Sequence, residues 1–440
     1  MKFRNYGQVL LATVVSLGLV FGLSSCTSSY TDGYLYVVGT TSTTAPNSAN
    51  GIISGFKIDH NTGKLTGISG LPIGSGGANP SRAVIPVGGI YVYVLNTGTT
   101  QAGVNGVGAN IVQFSIGGNG QLFPVLPSGG SQTGYTSQGL NPTRMLVDSS
   151  GRFLYVLDQS VPSCDTANAG SGDITVFSIN QTTGRLSLVL NGQVNESNAC
   201  ATAFGDQVGS PMRYFPVKAN PLDILLSGGY LFTLHTNGNV YPYAQNSSTG
   251  QLVVSQSGIQ YTGAAHPTAL IGSAGTLYLL DSDSVSSGGV LTSPSQILPW
   301  TIGTNGALSS LVGGTFANDP CAYNPTALLT ESGGKFVYVA NAGPSSNVNC
   351  QNSELSGFVI DPVSKRFSLI AGEPFGSGSG PQCILEDPSN QFIYTADSGS
   401  TVTGHKIDHG TGLLYDLNAP SQSYALNGPA TWCVVSGRTQ

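Results

Sequence analysis

Apolar and polar residues alternate in short runs along most of this chain, and Gly, Pro, Asn, Ser or Thr separates one run from the next. Successive side chains of a strand point to opposite faces, so a period of two predicts half-buried β-strands. Ile174, Val176, Phe177 and Ile179 alternate with polar neighbours in this way, while Tyr34-Leu35-Tyr36-Val37-Val38, Tyr91-Val92-Tyr93-Val94 and Leu154-Tyr155-Val156-Leu157 are Tyr-rich strands. Further along each unit, a strand ends in a recurring turn. That turn reads Lys57-Ile58-Asp59-His60-Asn61-Thr62-Gly63-Lys64-Leu65 near the start and Lys406-Ile407-Asp408-His409-Gly410-Thr411-Gly412-Leu413-Leu414 near the end. Asn, Asp, Ser and Gly tolerate the left-handed backbone that a tight hairpin needs. Looser copies begin at Ser115, Ser178, Tyr243, Thr301 and Val359, which makes seven.

A second phrase precedes most copies. It opens at Asn79-Pro80, Asn141-Pro142, Asn220-Pro221, His266-Pro267, Asn324-Pro325 and Gly380-Pro381, and an apolar run follows each Pro. Proline suits the first residue of a strand, where its missing N–H costs no ladder bond. One unit is therefore four strands, with no helical period in the mature chain. Four antiparallel strands repeated seven times predict an all-β, seven-bladed β-propeller. The first unit lacks its Pro strand, and the chain ends in a spare one, Gly428-Pro429-Ala430-Thr431-Trp432-Cys433-Val434-Val435. Ring closure follows: the C-terminal strand completes blade one as its innermost strand and removes two open sheet edges.

Residues 1–26 stand apart from the repeats. Lys2 and Arg4 precede an uncharged, mostly apolar run from Val9 to Leu23. That run is shorter than the roughly 20 residues of a membrane span and fits a secretory signal. It ends Leu23-Ser24-Ser25-Cys26, which resembles the bacterial lipobox. The expectation is a signal peptide over 1–26, a lipid on Cys26, and the propeller over 27–440. The chain would then be exported to the bacterial cell envelope and held to a membrane without spanning it. Only 8% of residues are charged and the net charge is −6; Lys2 and Arg4 lie in the leader, which leaves −8. Nucleic-acid binding needs a cationic footprint, which this balance lacks. Six further cysteines, Cys164, Cys200, Cys321, Cys350, Cys383 and Cys433, are even in number, as disulfides require. The unit map pairs them in that order. Buried free thiols are the alternative.

The two phrases, the seven units and the C-terminal strand resemble the lactonase family of seven-bladed propellers, which includes 6-phosphogluconolactonases. The most telling pieces are Lys57-Ile58-Asp59 with Gly63-Lys64-Leu65, and Gly151-Arg152-Phe153-Leu154-Tyr155-Val156. The resemblance spans roughly residues 30–437 and implies opening or closing of a lactone ring. In lactonase-like members, His and Arg just after the strand-initiating Pro of the central units supply the chemistry. Here those positions hold Leu222-Asp223, Thr268-Ala269 and Thr326-Ala327, without His.

Chemistry, if present, falls to Arg82, Arg144 and Asp223, each second after a Pro in consecutive units, and to His266, which stands just before one. These are the candidate channel-lining residues. They would bind an anionic or hydroxylated ligand, or Arg and Asp would pair and fasten neighbouring blades. His60 and His409 fall in hairpin turns, His235 in a unit with no evident partner, and His405 in a strand. No nucleophile elbow, metal-ligand spacing or phosphate loop occurs, so no metal or cofactor is expected. Two functions follow: an envelope lactonase-type hydrolase, or a non-catalytic propeller that binds a small molecule or a partner protein. The chain is expected to be a monomer.

Overall fold

The computed structural model describes residues 30–41, 50–101, 104–127, 134–273, 275–282, 284–285, 291–293, 295–311, 314–320, 322–343, 353–417 and 423–437. Each Tyr-rich run forms the second strand of a four-stranded antiparallel sheet, and there are seven such sheets. Blade 2 runs outward as Pro80–Val84, Tyr91–Asn96, Asn110–Ile116 and Leu122–Val125. The innermost strands of blades 3 to 7 are Leu140–Val147, Pro221–Ser227, Pro267–Ser273, Pro325–Thr330 and Pro381–Glu386. Blade 1 takes its innermost strand from the other end of the chain. Ala430–Gly437 pairs antiparallel with Thr31–Thr40, with Val37 opposite Cys433 and Leu35 opposite Val435. The ring is closed as expected.

The apolar core lies between blades rather than within one. Tyr36 and Val38 of blade 1 pack on Val92 and Val94 of blade 2, and Leu35 and Val37 pack on Tyr394 and Ala396 of blade 7. A strand with apolar residues on both faces is what such a position requires, and the second strands read that way.

Two details differ from the sequence expectation. Among the described residues six blades carry a short extra strand on their third strand, such as Ile73–Ala78 and Phe215–Ala219. A helix, Asn198–Phe204, interrupts the exit from blade 3. Ser197 caps its start by accepting the Cys200 N–H at 3.2 Å, and Gly205, at φ 76°, ends it in the left-handed region. Two turns of helix are too short to give a readable period.

The long connections gather on one face. The first residue of each innermost strand pairs at or next to the last of the second strand, as Pro80 does with Asn96, Pro325 with Asn341 and Ala430 with Gly39. Chain leaving a second strand therefore emerges beside the Pro residues. These connections are short in blades 4 and 7 (236–238 and 398–400) and longer in the others. A two-stranded ribbon, Thr99–Gln101 with Val104–Val107, grows from one of them.

Candidate channel site

Every innermost strand breaks register just after the pair made by its Pro, or by Ala430 in blade 1: between Pro80 and Arg82, Pro142 and Arg144, Pro221 and Asp223, and so around the ring. This is a β-bulge, which re-aims the side chains beside it. In three blades the bulged residue is a Thr that bonds to the next blade. Thr431 donates to the Pro80 carbonyl (2.6 Å), Thr268 to Pro325 (3.1 Å) and Thr326 to Pro381 (2.7 Å). The residue before the Pro is often Asn with positive φ, as at Asn79 (52°) and Asn324 (50°). Its amide reaches back to the following turn, bonding Gly98 and Gly343 at 2.7 Å.

The bulge delivers the second residue after the Pro to the central channel. Arg82, Arg144 and Asp223 meet there and line one cavity of about 560 Å³. Arg144 donates from Nε to Asp223 Oδ1 at 3.1 Å and from Nη1 to the Thr143 carbonyl at 3.2 Å. The other Asp223 oxygen accepts the Leu270 N–H of blade 5 at 2.9 Å. Asp223 thus fastens three blades. Arg82 is held differently. Its Nη1 donates to the Ser81 carbonyl at 2.8 Å, and its guanidinium carbon lies 3.9 Å from the ring centre of Trp432. Among the described residues no carboxylate pairs with it. Burial, and then the adjacent Arg144 charge, lower its pKa to about 9, while Asp223 opposes them. Arg82 is still a cation at neutral pH. Its side chain is half-buried, partly open to the channel.

A second cavity of about 360 Å³ shares Arg82, Arg144 and Thr326 and adds Thr268, Ser282, Asn324, Gln382 and Thr431. It forms the polar mouth, on the face that carries the long connections.

His266 is not in this group. It is exposed and lines neither cavity; its backbone N–H donates to Asp281 Oδ1 at 2.6 Å. Three of the remaining His make structural contacts, and His409 is exposed on its turn. His235 lies between Thr233 and the Ala219 carbonyl, both at 2.8 Å, and burial lowers its pKa, so it stays neutral. His60, placed by the sequence in a hairpin turn, stacks on Tyr30 with ring centres 4.3 Å apart and has Nδ1 3.2 Å from Asp32. His405 is fully buried, with Nδ1 3.0 Å from Asp416 Oδ1. Among the described residues no group of three His, Cys, Asp or Glu is placed to hold a metal.

Trp432 escaped the sequence reading. Ala430, not Pro429, takes the register that Pro holds in other blades, pairing with Gly39. Counting from the true register makes Trp432 the blade 1 counterpart of Arg82 and Arg144. Cys383 and Cys433 form a disulfide across the ring seam (Cα–Cα 6.0 Å), and Cys164 and Cys200 form another (5.0 Å). Cys26, Cys321 and Cys350 lie outside the described residues. Disulfides mark a chain that folds in an oxidising compartment.

Three solved structures match this architecture over nearly the whole ring, each with a TM-score of 0.62. The fold is that of lactonase-type propellers. A Bacteroides uniformis protein, provisionally assigned as a 6-phosphogluconolactonase, is 16% identical and covers 92% of this chain and 100% of its own. A Bacteroides fragilis protein with the same provisional assignment is 16% identical and covers 94% and 99%. The Pseudomonas aeruginosa periplasmic gluconolactonase PpgL is 19% identical and covers 92% and 99%. No protein-family model and no curated protein sequence matches the chain.

Proposed function

We propose that this is an exported, monomeric propeller, anchored by a lipid on Cys26, that binds a small anionic ligand in its central channel between Arg82 and Arg144. The observation that carries the reading is Arg82. It is a channel cation with one backbone acceptor and an aromatic face, and among the described residues no carboxylate bonds to it. A guanidinium placed this way has N–H groups free to receive a planar anion, and a charge-assisted bond is about twice as strong as a neutral one. Titration of the purified protein with organic anions tests this. Arg82→Gln should weaken binding by roughly ten-fold or more. Equal affinity in Arg82→Gln and the parent would remove the site. Mass spectrometry of the mature N-terminus tests the anchor: an acylated Cys26 is expected, and an unmodified terminus elsewhere refutes it.

Lactone hydrolysis is the second reading, favoured by the fold and by two Arg side chains able to hold a developing oxyanion. Hydrolysis also needs a base for water. Asp223 is the one carboxylate among the residues lining the channel cavities, and both its oxygens are engaged. Ligand binding is therefore the better supported function. A panel of sugar and aromatic lactones should turn over at the buffer rate. Turnover above buffer that is lost in Arg144→Ala would reverse the order of the two readings.

A further inference from the structure

The chemistry of the channel wall narrows the ligand. We infer that the channel takes an amphiphilic monoanion, with a carboxylate head at Arg82 and Arg144 and a hydrocarbon body below them. This rests on the anion-binding reading above. Two residues beyond the arginine level, the wall is made by Val84, Leu146, Leu225, Ile271, Leu385 and Val434. All six are aliphatic. The polar side chains lining this cavity, Arg82, Arg144, Asp223 and Thr326, all stand at the first or second position after a Pro, at one end of it. The deeper wall therefore offers no side-chain partner to a hydroxyl. Each sugar hydroxyl pushed down there would lose its water without replacement, which costs free energy. A methylene chain loses nothing polar and gains by burial.

Charge sets the head group. Two Arg and one Asp line the cavity, a net of one positive charge, so a single negative charge balances it. The volume of about 560 Å³ lies within the usual range for a small-molecule pocket. The head would lie at the polar mouth, on the face bearing the long connections, and the tail would point toward the opposite face.

Calorimetric titration of the intact mature protein with hexanoate, octanoate, decanoate, decanol and gluconate tests the inference. Affinity should rise along the carboxylate series, by up to roughly four-fold per buried methylene. Decanol should bind at least ten-fold more weakly than decanoate, and Arg82→Gln should remove that difference. If Arg82→Gln does not fold, the series on the unmodified protein still decides. Gluconate binding as tightly as decanoate would overturn the hydrocarbon body and leave the anion site standing. Decanol binding as tightly as decanoate would overturn the anion site itself. No binding by any of the five would overturn both.

Discussion

Asp158 and Asp173 face each other across the second and third strands of blade 3, and both are fully buried. Ser137 and Thr175 donate to Asp158 at 2.7 and 3.3 Å, whereas neither Asp173 oxygen has a hydrogen-bond partner placed for it among the described residues. Burial is the main cause raising both pKa values, that of Asp158 to about 7 and that of Asp173 well above the carboxylate range, with the Asp158 charge adding to the latter. The sign follows from linkage. The folded state keeps a proton that the unfolded chain releases near pH 4, so this pair costs nothing at pH 4 and lowers stability as pH rises toward and through about 7. The melting temperature should therefore fall between pH 5 and pH 8. Asp173→Asn should flatten that fall and raise the pH 8 melting temperature by roughly 2 °C or more. Calorimetry at pH 5, 6, 7 and 8 checks it; parallel slopes in the two proteins would rule the pair out as the cause. The pair was not legible in the sequence, because Asp158 and Asp173 read as two polar strand ends until the register sets them opposite one another.

At the scale of the element, the recurring turn does two jobs. Its Asp or Asn closes the turn: Asp59 Oδ1 accepts the Asn61 and Thr62 N–H groups, and Asn180 Oδ1 accepts those of Thr182 and Thr183. Its Gly then serves the neighbouring blade. Tyr36 donates its hydroxyl to the Gly120 carbonyl, Tyr93 to Gly184, Tyr338 to Gly412 and Tyr394 to Gly63, the last across the seam. Blade 4 has Phe232 at the Tyr position, and the turn of blade 6 has Lys365 at φ 58° in place of Gly, so the set is incomplete. Tyr93→Phe should lower stability by about 1 kcal/mol, the usual worth of one hydrogen bond, because the ring still packs. Gly63→Ala should cost more, since φ is 67° and a Cβ would lie 2.5 Å from the Phe392 ring. Urea unfolding of both variants measures this, and an unchanged midpoint for Tyr93→Phe would contradict the latch. The turn itself was legible, since it is local. The latch was not, because the Tyr and the Gly are 74 to 331 residues apart in four of these bonds. The same distinction governs the site. Arg82, Arg144 and Asp223 follow from counting residues after a Pro, while the Trp432 face beneath Arg82 depends on a pairing across the whole chain.

For the whole molecule, closure is where most of the structure's order is concentrated. Removing residues after Asn427 would strip the innermost strand from blade 1 and leave Thr31–Thr40 with an unpaired edge facing the channel. It would remove Trp432 from under Arg82, and with it the aromatic contact that holds that cation. It would delete Cys433 and so the seam disulfide, which joins residues 50 apart; a loop of that length is worth about 4 kcal/mol in the chain-entropy account. Thr431 would no longer hold the Pro80 carbonyl, so blades 1 and 2 would part at the mouth as well. Each loss alone is tolerable in a domain of this size, but all fall on one seam, and a native domain has only about 5–15 kcal/mol in total. A chain ending at Asn427 should therefore fail to fold: soluble protein should be absent or aggregated, with no cooperative melt by circular dichroism. A monodisperse truncation with a sharp melting transition would show that the ring stands without its last strand. Cys433→Ser separates the contributions, since it removes the disulfide and keeps the strand. That variant should fold, melt cooperatively at a lower temperature, and retain the channel.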